Sequence, residues 1–318
     1  MASTTVVTLT MNPAVDLATT VEQVVPDDKL RCARPVRTAG GGGLNVAKVV
    51  AALGQRVVAV YPAGGSTGSS LHDLVGAAGI TRAEVPITGE TRENLVVVEP
   101  STRRHFHFVM PGPELGEAEW SACLDAVCHP GLAPTHVIAS GSLPPGVPVE
   151  FYAMLARRVR DLGARFVLDA AGAPLAAALD VGVWMIKPNL VELAALTGIE
   201  HAHEDALERA ATALVDDGRA ELVVLSLGPA GAFAVGRGYP GEHVRAPIVP
   251  VRSRVGAGDS MVGGVVVADR LGLDMPACVR LGAAAGAAAV MRRGAEVCAA
   301  QDVWRLARRV GVDLSATG

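Results

Sequence analysis

The stretch Val255-Gly256-Ala257-Gly258-Asp259-Ser260 follows a segment of strand and loop character, 244–254, and opens an apolar run to Leu271 that predicts a helix. Two glycines in three residues let the backbone approach a ligand closely, and the free N–H groups of the first helical turn then point at it. Such a terminus binds anions because the unpaired donors and the helix dipole act together. In isolation, Asp259 is first interpreted as a favourable helix-start carboxylate, with a catalytic role as the alternative.

A second glycine-rich turn decides between these interpretations. Ala39-Gly40-Gly41-Gly42-Gly43-Leu44-Asn45 also leads into a helical pattern, over 44–53. The turn at 255–260 suits a polyanion, and the turn at 39–45 suits a polyol. The pair predicts a kinase that acts on a small molecule.

Size and composition narrow the classes of protein that fit. The 318 residues suit one large α/β domain with an insertion, and with 50% apolar residues a sizeable core is easily filled. Aromatic residues make up only 3%, which argues against surfaces that stack on nucleobases. A net charge of −4 and a pI near 6.1 argue against nucleic-acid or anionic-membrane partners.

Five scattered cysteines include no C-x-x-C pair and no zinc-ligand spacing, so they are interpreted as reduced thiols of a cytoplasmic protein. The chain enters a strand at Val6 without a signal-peptide pattern, and its apolar tracts are too short to span a bilayer. We expect a cytoplasmic protein with no membrane partner.

Strand and helix patterns alternate along most of the chain, which predicts a parallel, doubly wound sheet. Asp16 follows the first strand, after an Asn-Pro pair that ends it, at the edge where such sheets bind ligands. Between 81 and 110 the period becomes two, with strands predicted over 82–86, 94–99 and 103–109. With 27–37, where Lys29 and Arg31 alternate, this region predicts a small antiparallel lid, and Arg92 stands where that sheet begins.

Further polar turns follow predicted strands in the second half of the chain. Ser142 lies in the turn 140–146, and Lys187 directly follows a strand. Asn189 and Glu192 have the spacing of a capping box, which is a sufficient structural explanation for both. The turn 226–231 is again rich in glycine.

Phosphoryl transfer needs anion-binding backbone, Mg²⁺ and a group that takes the acceptor's proton. The Walker pattern, the protein-kinase motifs and a clear dinucleotide fingerprint are absent from the sequence. A kinase with this sequence would therefore use the helix start at 256–259, and a Rossmann-type dehydrogenase is disfavoured.

The combined motifs resemble the PfkB carbohydrate-kinase family, whose fold is ribokinase-like. The resemblance covers essentially the whole chain, from Thr8-Leu9-Thr10-Met11-Asn12-Pro13-Ala14-Val15-Asp16 to the stretch ending at Ser260. Other matching segments are 29–32, 40–47, 108–112, 140–146, 187–189 and 226–229. The resemblance implies a single three-layer α/β/α domain over 1–318, with an antiparallel β lid inserted from about 27–37 and 81–110.

The resemblance also implies roles for individual residues. Asp259 would take the proton of the sugar 1-hydroxyl, and the amides of Gly256, Ala257 and Gly258 would surround the transferred phosphoryl group. The implied sugar-hydroxyl ligands are Asp16, Gly41, Gly42 and Asn45; the implied ligands of the sugar phosphate are Lys29, Arg92 and Ser142. The implied ATP side comprises Lys187, Asn189, Glu192, Ser226, Gly228 and Gly231, with Asn189 and Glu192 linked to Mg²⁺ through water. The carbonyls of Ser253 and Val255 match a K⁺ site, and family members usually dimerise through their lids.

Within the family, Gly42 favours the 6-phosphofructokinase branch, since the 1-phosphofructokinase and tagatose-6-phosphate kinase branches tend to carry lysine there. The expected reaction is ATP-dependent phosphorylation of fructose 6-phosphate to fructose 1,6-bisphosphate. The alternatives are the same chemistry on tagatose 6-phosphate or fructose 1-phosphate, and a sugar-phosphate sensor without catalytic activity.

Overall fold

A computed structural model describes residues 5–102, 104–199, 203–292 and 297–313. Arg103, where the sequence predicts the start of a strand, lies outside them. The strands are β1 (Thr5–Leu9), β2 (Ala14–Thr20), β3 (Val36–Gly40), β4 (Val57–Ala63), β5 (Thr81–Pro86), β6 (Arg92–Glu99), β7 (Arg104–Phe108), β8 (Pro134–Ser140), β9 (Arg165–Asp169), β10 (Val183–Ile186), β11 (Ala220–Ser226), β12 (Ala232–Gly236) and β13 (Tyr239–Val244). The helices are α1 (Gly42–Ala52), α2 (Gly65–Ala77), α3 (Glu117–Val127), α4 (Phe151–Asp161), α5 (Gly172–Leu179), α6 (Leu190–Thr197), α7 (Glu204–Asp216), α8 (Ala257–Arg270), α9 (Met275–Val290) and α10 (Ala300–Arg309).

The large sheet has nine strands in the order β13-β12-β11-β10-β9-β8-β1-β4-β5. The seven neighbouring strands β11, β10, β9, β8, β1, β4 and β5 pair in parallel. β12 and β13 continue the sheet beyond β11 with antiparallel pairings. All five residues of β1 are buried, as expected for a central parallel strand that is covered on both faces. The parallel sheet predicted from the alternating pattern is confirmed.

Helices cover both faces of this sheet and divide its core into two clusters. One cluster contains residues from α1, α2, α8, α9 and α10, and the other contains residues from α3 to α7. The three-layer α/β/α prediction is therefore confirmed. In the described part of the chain, no helix is both long and apolar enough to cross a membrane.

The small sheet has the order β3-β2-β6-β7. Its β2–β3 and β6–β7 pairs are antiparallel, but β2 and β6 are parallel, so the sheet is mixed rather than antiparallel throughout. Asp16 of β2 lies opposite Thr38 of β3 and Asn94 of β6. The sheet therefore carries Asp16 directly to the edge of the large sheet.

Two segments assigned to the lid from sequence lie elsewhere. Residues 81–86 form β5, an edge strand of the large sheet, and its exposed side produces the polar alternation that suggested a lid strand. Residues 27–35 form no strand, because Pro26 and Asp27, whose φ is 60°, turn the chain there. Their places in the small sheet are taken by β2, which begins just beyond Pro13, and by β3.

Helix α8 is held by close contacts at its glycines. A Cβ atom at Gly264 would lie 2.9 Å from the Cα of Gly282 in α9, and one at Gly263 would lie 2.6 Å from Cγ1 of Val49 in α1. Only glycine permits such approaches between helices. The packing of α1 against α8 brings the polar residues near the start of α1 to the start of α8.

Candidate active site

Polar residues converge where the central parallel strands end. Ser140 and Asp169 are the last residues of β8 and β9, and Lys187 follows β10. The carboxyl ends of parallel strands meet at one edge, so these side chains lie together at the position where open α/β sheets bind ligands.

The start of α8 is open towards this edge. Gly256 precedes the helix with a φ of 75°, and no side chain caps the helix. A Cβ atom at Gly256 would meet nothing within 4 Å. The first-turn N–H groups are therefore available to an anion, and the left-handed backbone explains why a glycine stands there.

Asp259, in the first turn of α8, is a partly buried carboxylate that accepts a hydrogen bond. The Nδ2 atom of Asn45 donates to its Oδ2 at 2.9 Å. Burial, followed by the charge of Asp169, raises the pKa of Asp259 to about 6, although Asn45, Lys187 and Lys48 each act to lower it. A carboxyl group with such a pKa is ionised at neutral pH and accepts a proton more readily than an exposed aspartate.

Lys187 pairs with Asp169 and also interacts electrostatically with Asp259. Its Nζ atom is 3.3 Å from Oδ1 of Asp169, and both side chains are largely buried, with 9% and 17% exposure. Burial acts to lower the pKa of Lys187, but Asp169, Glu192 and Asp259 outweigh it and raise that pKa. A Cβ atom at Gly258 would lie 3.2 Å from the same Nζ atom, so the ammonium group adjoins the start of α8.

The glycine turn packs tightly beneath the site. Gly41 precedes α1 with a φ of 116°, and a Cβ atom at Gly42 would lie 2.1 Å from Oγ of Ser140. A Cβ atom at Gly43 would lie 2.4 Å from the carbonyl oxygen of Leu9. This turn therefore sits directly on the ends of β1 and β8, and α1 presents Asn45 to Asp259.

Asp16 faces the site from the small sheet. Its Oδ1 atom accepts a hydrogen bond from Nδ2 of Asn94 at 2.9 Å, and a Cβ atom at Gly40 would lie 2.2 Å from its Oδ2. The carboxylate is thus held by a partner strand on one side and by a glycine on the other.

Arg92 joins the small sheet to the end of β1. Its guanidinium donates to the carbonyl oxygens of Asn12, at 2.8 Å, and Met110, at 2.9 Å. Among the described atoms, its buried Nε has no hydrogen-bond partner. Asn12 in turn donates from Nδ2 to Oγ of Ser142 at 3.2 Å, so Arg92 and Ser142 belong to one polar cluster.

The residues predicted for the nucleotide side lie around β10 and β11. Asn189 and Glu192 form a capping box, in which Oδ1 of Asn189 and Oε2 of Glu192 each accept a backbone N–H at 2.9 Å. Ser226 donates from its backbone and its hydroxyl group to the carbonyl of Pro188. Gly228, with a φ of 58°, begins a short 3₁₀ turn beyond β11, and Gly231, with a φ of 107°, directly follows it.

The segment before α8 contains the two residues predicted for a monovalent cation. Ser253 is buried, its N–H donates to the carbonyl of Val290, and its hydroxyl accepts from the N–H of Val255 at 3.2 Å. The backbone here is therefore fixed, which suits a site built from carbonyl oxygens.

Lys29 is not brought to this site within the chain. It lies exposed in the irregular segment 27–35, where its N–H donates to the Asp28 carboxylate. The strand that would have placed Lys29 and Arg31 on one face is absent from this described segment, so that placement is wrong.

Two residues that the sequence analysis did not single out contribute to the cluster. Asn94 holds Asp16, and Lys48 of α1 donates to Oδ1 of Asn45 at 3.2 Å and to the carbonyl oxygen of Ala39. The i, i+3 spacing of Asn45 and Lys48 was a usable signal, because such residues share one helix face. Asn94 had no comparable signal, since its pairing with β2 is long-range.

Chemically, the cluster combines a proton acceptor with an anion-binding backbone. Asp259 can take a proton from a hydroxyl group, while the adjacent N–H groups and Lys187 stabilise negative charge. Asp16 and Asn45 offer oxygen and nitrogen atoms to a polyol. Arg92 offers a cation on the side of the cluster formed by the small sheet. This set suits transfer of an anionic group to a sugar hydroxyl.

Comparison with known proteins gives a consistent result. A family model described as pfkB family carbohydrate kinase matches residues 1–302. The ATP-dependent 6-phosphofructokinase isozyme 2 of Mycobacterium tuberculosis is 42% identical over 94% of this chain and 88% of its own length. The Escherichia coli protein of that name is 39% identical over 94% of this chain and 96% of its own length. A 1-phosphofructokinase of Xanthomonas campestris is 36% identical over 82% of this chain and 83% of its own length.

Solved structures of the Escherichia coli phosphofructokinase-2 have the same fold. Its complex with potassium superposes with a TM-score of 0.92 at 38% identity, covering 96% of this chain and 99% of that one. Its complex with fructose 6-phosphate has a TM-score of 0.89 at 37% identity. Its tetrameric inhibited form has a TM-score of 0.91 at 37% identity, and the coverage of both chains is the same in each comparison.

Proposed function

The chain belongs to the pfkB family of carbohydrate kinases, and we propose that it transfers the γ-phosphoryl group of ATP to the 1-hydroxyl of fructose 6-phosphate. The product is fructose 1,6-bisphosphate. The observation that carries this proposal is the partly buried carboxylate of Asp259 beside the uncapped start of α8, which joins a proton acceptor to an anion site. The relatives named 6-phosphofructokinase support the choice of sugar.

In this reaction Asp259 takes the proton of the sugar 1-hydroxyl while the oxygen of that hydroxyl forms a bond to the γ-phosphorus. The bond from that phosphorus to the bridging oxygen breaks, and ADP leaves with the electron pair. Negative charge on the transferred group is stabilised by the amides of Gly256, Ala257 and Gly258 and by Lys187. Those amides are in place before the reaction, so they need no reorganisation.

The phosphosugar occupies the space between the glycine turn and the small sheet. Asp16, Asn45 and the backbone at Gly41 and Gly42 bind its hydroxyl groups. Arg92 and Ser142 bind its phosphate; the unpartnered Nε of Arg92 supports this assignment, because a buried guanidinium nitrogen without an acceptor suits a phosphate oxygen.

ATP lies beyond α8, against Lys187, Ser226, Gly228 and Gly231. When bound with ATP, Mg²⁺ would supply positive charge that neutralises the phosphates. The oxygen donors of Asn189 and Glu192 suit its hydration shell, although both side chains also cap α6. Backbone carbonyls at Ser253 and Val255 suit K⁺, and the existence of a potassium complex of the similar Escherichia coli enzyme supports binding of this ion.

A panel of phosphosugars tests the proposed substrate. We expect MgATP-dependent ADP release to have its highest kcat/KM with fructose 6-phosphate, ahead of tagatose 6-phosphate and fructose 1-phosphate. A preference for one of the other sugars would retain the Asp259 chemistry but refute the assignment based on Gly42. Binding without turnover for all three would favour the sensor, and the same panel with and without K⁺ tests the cation site.

We also propose that two copies pair through their small sheets. Large apolar side chains there are exposed: Val36 by 63%, Phe108 by 45% and Val109 by 67%. Pairing would cover them and bring Lys29 towards a neighbouring site. Phe108→Glu is expected to convert a dimer into a monomer in analytical ultracentrifugation. The control is Leu162→Glu, because Leu162, at the end of a helix, is an apolar residue with a similar exposure of 41%. An unchanged mass for Phe108→Glu would refute the pairing.

The raised pKa of Asp259 predicts an acid limit on activity. Because the base must be ionised, kcat should fall as pH decreases through about 6 and level off above it. Sugar phosphates also titrate near pH 6, so phosphosugar binding is measured by calorimetry over the same range as the control. A kcat that stays constant down to pH 5 while binding changes would contradict the role of Asp259.

A further inference from the structure

The chain is sparing with lysine. Of its 28 Lys and Arg residues only three are lysines, namely Lys29, Lys48 and Lys187. Two of the three, Lys48 and Lys187, lie close enough to Asp259 to influence its pKa, and they reach it from different elements, α1 and the end of β10. The function proposed above uses Lys187 but leaves Lys48 without a role.

Lys48 begins a chain of hydrogen bonds that ends on the proton acceptor. Its Nζ atom donates to Oδ1 of Asn45 at 3.2 Å, and Nδ2 of Asn45 donates to Oδ2 of Asp259 at 2.9 Å. An ammonium group can only donate, so it requires the amide oxygen of Asn45 on its own side. The amide NH₂ group must then point at Asp259.

A second bond fixes the lysine itself. Nζ also donates to the carbonyl of Ala39, at the start of the glycine turn. Lys48 therefore ties the turn that precedes α1 to the residue that contacts Asp259. Movement of either would change the direction of the Asn45 amide.

The charges around Lys48 explain why a cation is tolerated in this position. Burial lowers the pKa of Lys48, and the carboxylates of Asp16 and Asp259 act against that effect. Together with Asp169, these are three carboxylates at one edge of the sheet. Lys48 offsets charge on the α1 side of this cluster, as Lys187 does on the β10 side.

We propose that Lys48 is a positioning residue, which orients the Asn45 amide and thereby holds the carboxylate of Asp259 in place and ionised. This inference rests on the proposed function, because it assigns Lys48 a role in proton transfer. Lys48 contacts neither the phosphosugar nor ATP in this account. It acts on the reaction only through Asn45 and through its charge.

The test compares Lys48→Met, which removes the charge and keeps the length, with Lys48→Arg, which keeps a cationic donor. For Lys48→Met we expect kcat at pH 7 to fall by about 10- to 100-fold, as for a slightly misplaced catalytic group. KM for fructose 6-phosphate should change far less than kcat. Lys48→Arg should recover most of the loss.

The pH profile separates this role from a purely structural one. The groups that face Asp259 are Asp169 of β9, Lys187 after β10, and Asn45 and Lys48 of α1; Asp16 of β2 and Glu192 of α6 act on the two lysines. Removing Lys48 takes away a cation that favours the ionised carboxylate. The acid limit of kcat should therefore move to higher pH in Lys48→Met and stay in place in Lys48→Arg.

Two further variants make the outcome decisive. Arg209→Met removes one charge from an exposed position of α7 and should leave kcat and its pH profile unchanged. Asp259→Asn tests the proposed proton acceptor: if this variant remains active, Asp259 is not the base and the mechanism on which this inference rests fails, whereas an inactive Asp259→Asn with a normal Lys48→Met refutes this inference alone. A Lys48→Met variant with a raised KM and normal kcat would make Lys48 a substrate ligand and would also refute it. If Lys48→Met does not fold, Lys48→Gln, which keeps a donor for the carbonyl of Ala39, carries the same test.

Discussion

Replacing Asp259 with asparagine is expected to lower kcat by about 10²- to 10⁴-fold, the usual contribution of a general base. Asparagine keeps an oxygen that can accept the hydrogen bond from Asn45, so the geometry of the site is retained. What is lost is the ability to take a proton. Fructose 6-phosphate binding, measured by calorimetry, should change only a few-fold, because the other sugar ligands are untouched.

Stability provides an internal check on this variant. Burial and the charge of Asp169 both disfavour the ionised form of Asp259 in the folded protein. Removing that charge should leave the melting temperature unchanged or raise it, so any loss of activity cannot be attributed to unfolding. Asp205→Asn, at an exposed first-turn position of α7, is the matched control and should remain fully active. Activity of Asp259→Asn within tenfold of the wild type would remove Asp259 from the mechanism.

Replacing Lys187 with methionine should have the largest effect on stability. Its pair with Asp169 is mostly buried, and removing one member of a buried ion pair typically costs about 3–5 kcal/mol in the free energy of unfolding, since a charge remains without its partner. The same change takes positive charge away from the start of α8. We therefore expect kcat to fall as well, by about 10²-fold or more, as when an oxyanion-site donor is removed.

An exposed ion pair supplies the control for Lys187→Met. Arg219 lies 3.0 Å from Asp180, but the two side chains are 35% and 75% exposed, so Arg219→Met should cost no more than about 1 kcal/mol. The double variant Lys187→Met, Asp169→Asn should recover much of the lost stability, because no buried charge is left unpaired. Urea unfolding of all three measures these differences. A loss in Lys187→Met no greater than that in Arg219→Met would show that the buried pair contributes little.

The layered fold was predictable because its signals are local. Buried apolar strands alternate with helical patterns, and polar residues follow the strand ends, so the parallel sheet and the position of its ligand edge could be derived from order alone. The helix start at 255–260 was predictable for the same reason, because the sequence itself shows a glycine, with no side chain to cap the helix, directly before the helical pattern.

The small sheet was less predictable, because pairing between strands is a long-range property. β2 follows an Asn-Pro pair that was interpreted only as the end of the first strand, yet it is itself a strand and pairs in parallel with β6, far along the chain. β5 has the alternation of a half-exposed strand, and that pattern is the same whether the strand lies in a lid or at the edge of a large sheet. Sequence period alone cannot distinguish these two places.

Lys48, one of the two site residues that the sequence analysis missed, has a similar explanation. Lys48 lies within a helix, where a lysine is ordinarily interpreted as part of the solvent-exposed face. Its contact with Asn45 is local, but the contact of Asn45 with Asp259 depends on how α1 packs against α8, which is decided by glycines such as Gly263. Helix packing of this kind cannot be read from the pattern of one helix.

Phosphorus NMR of the wild-type protein with fructose 6-phosphate and MgATP gives the most direct test of phosphoryl transfer to the 1-hydroxyl of the sugar. We expect ADP and a second phosphate ester on C1 of the sugar to appear in equal amounts, and Asp259→Asn to form neither at a comparable rate. Release of ADP with inorganic phosphate, or a sugar left unmodified by the wild-type protein, would contradict it.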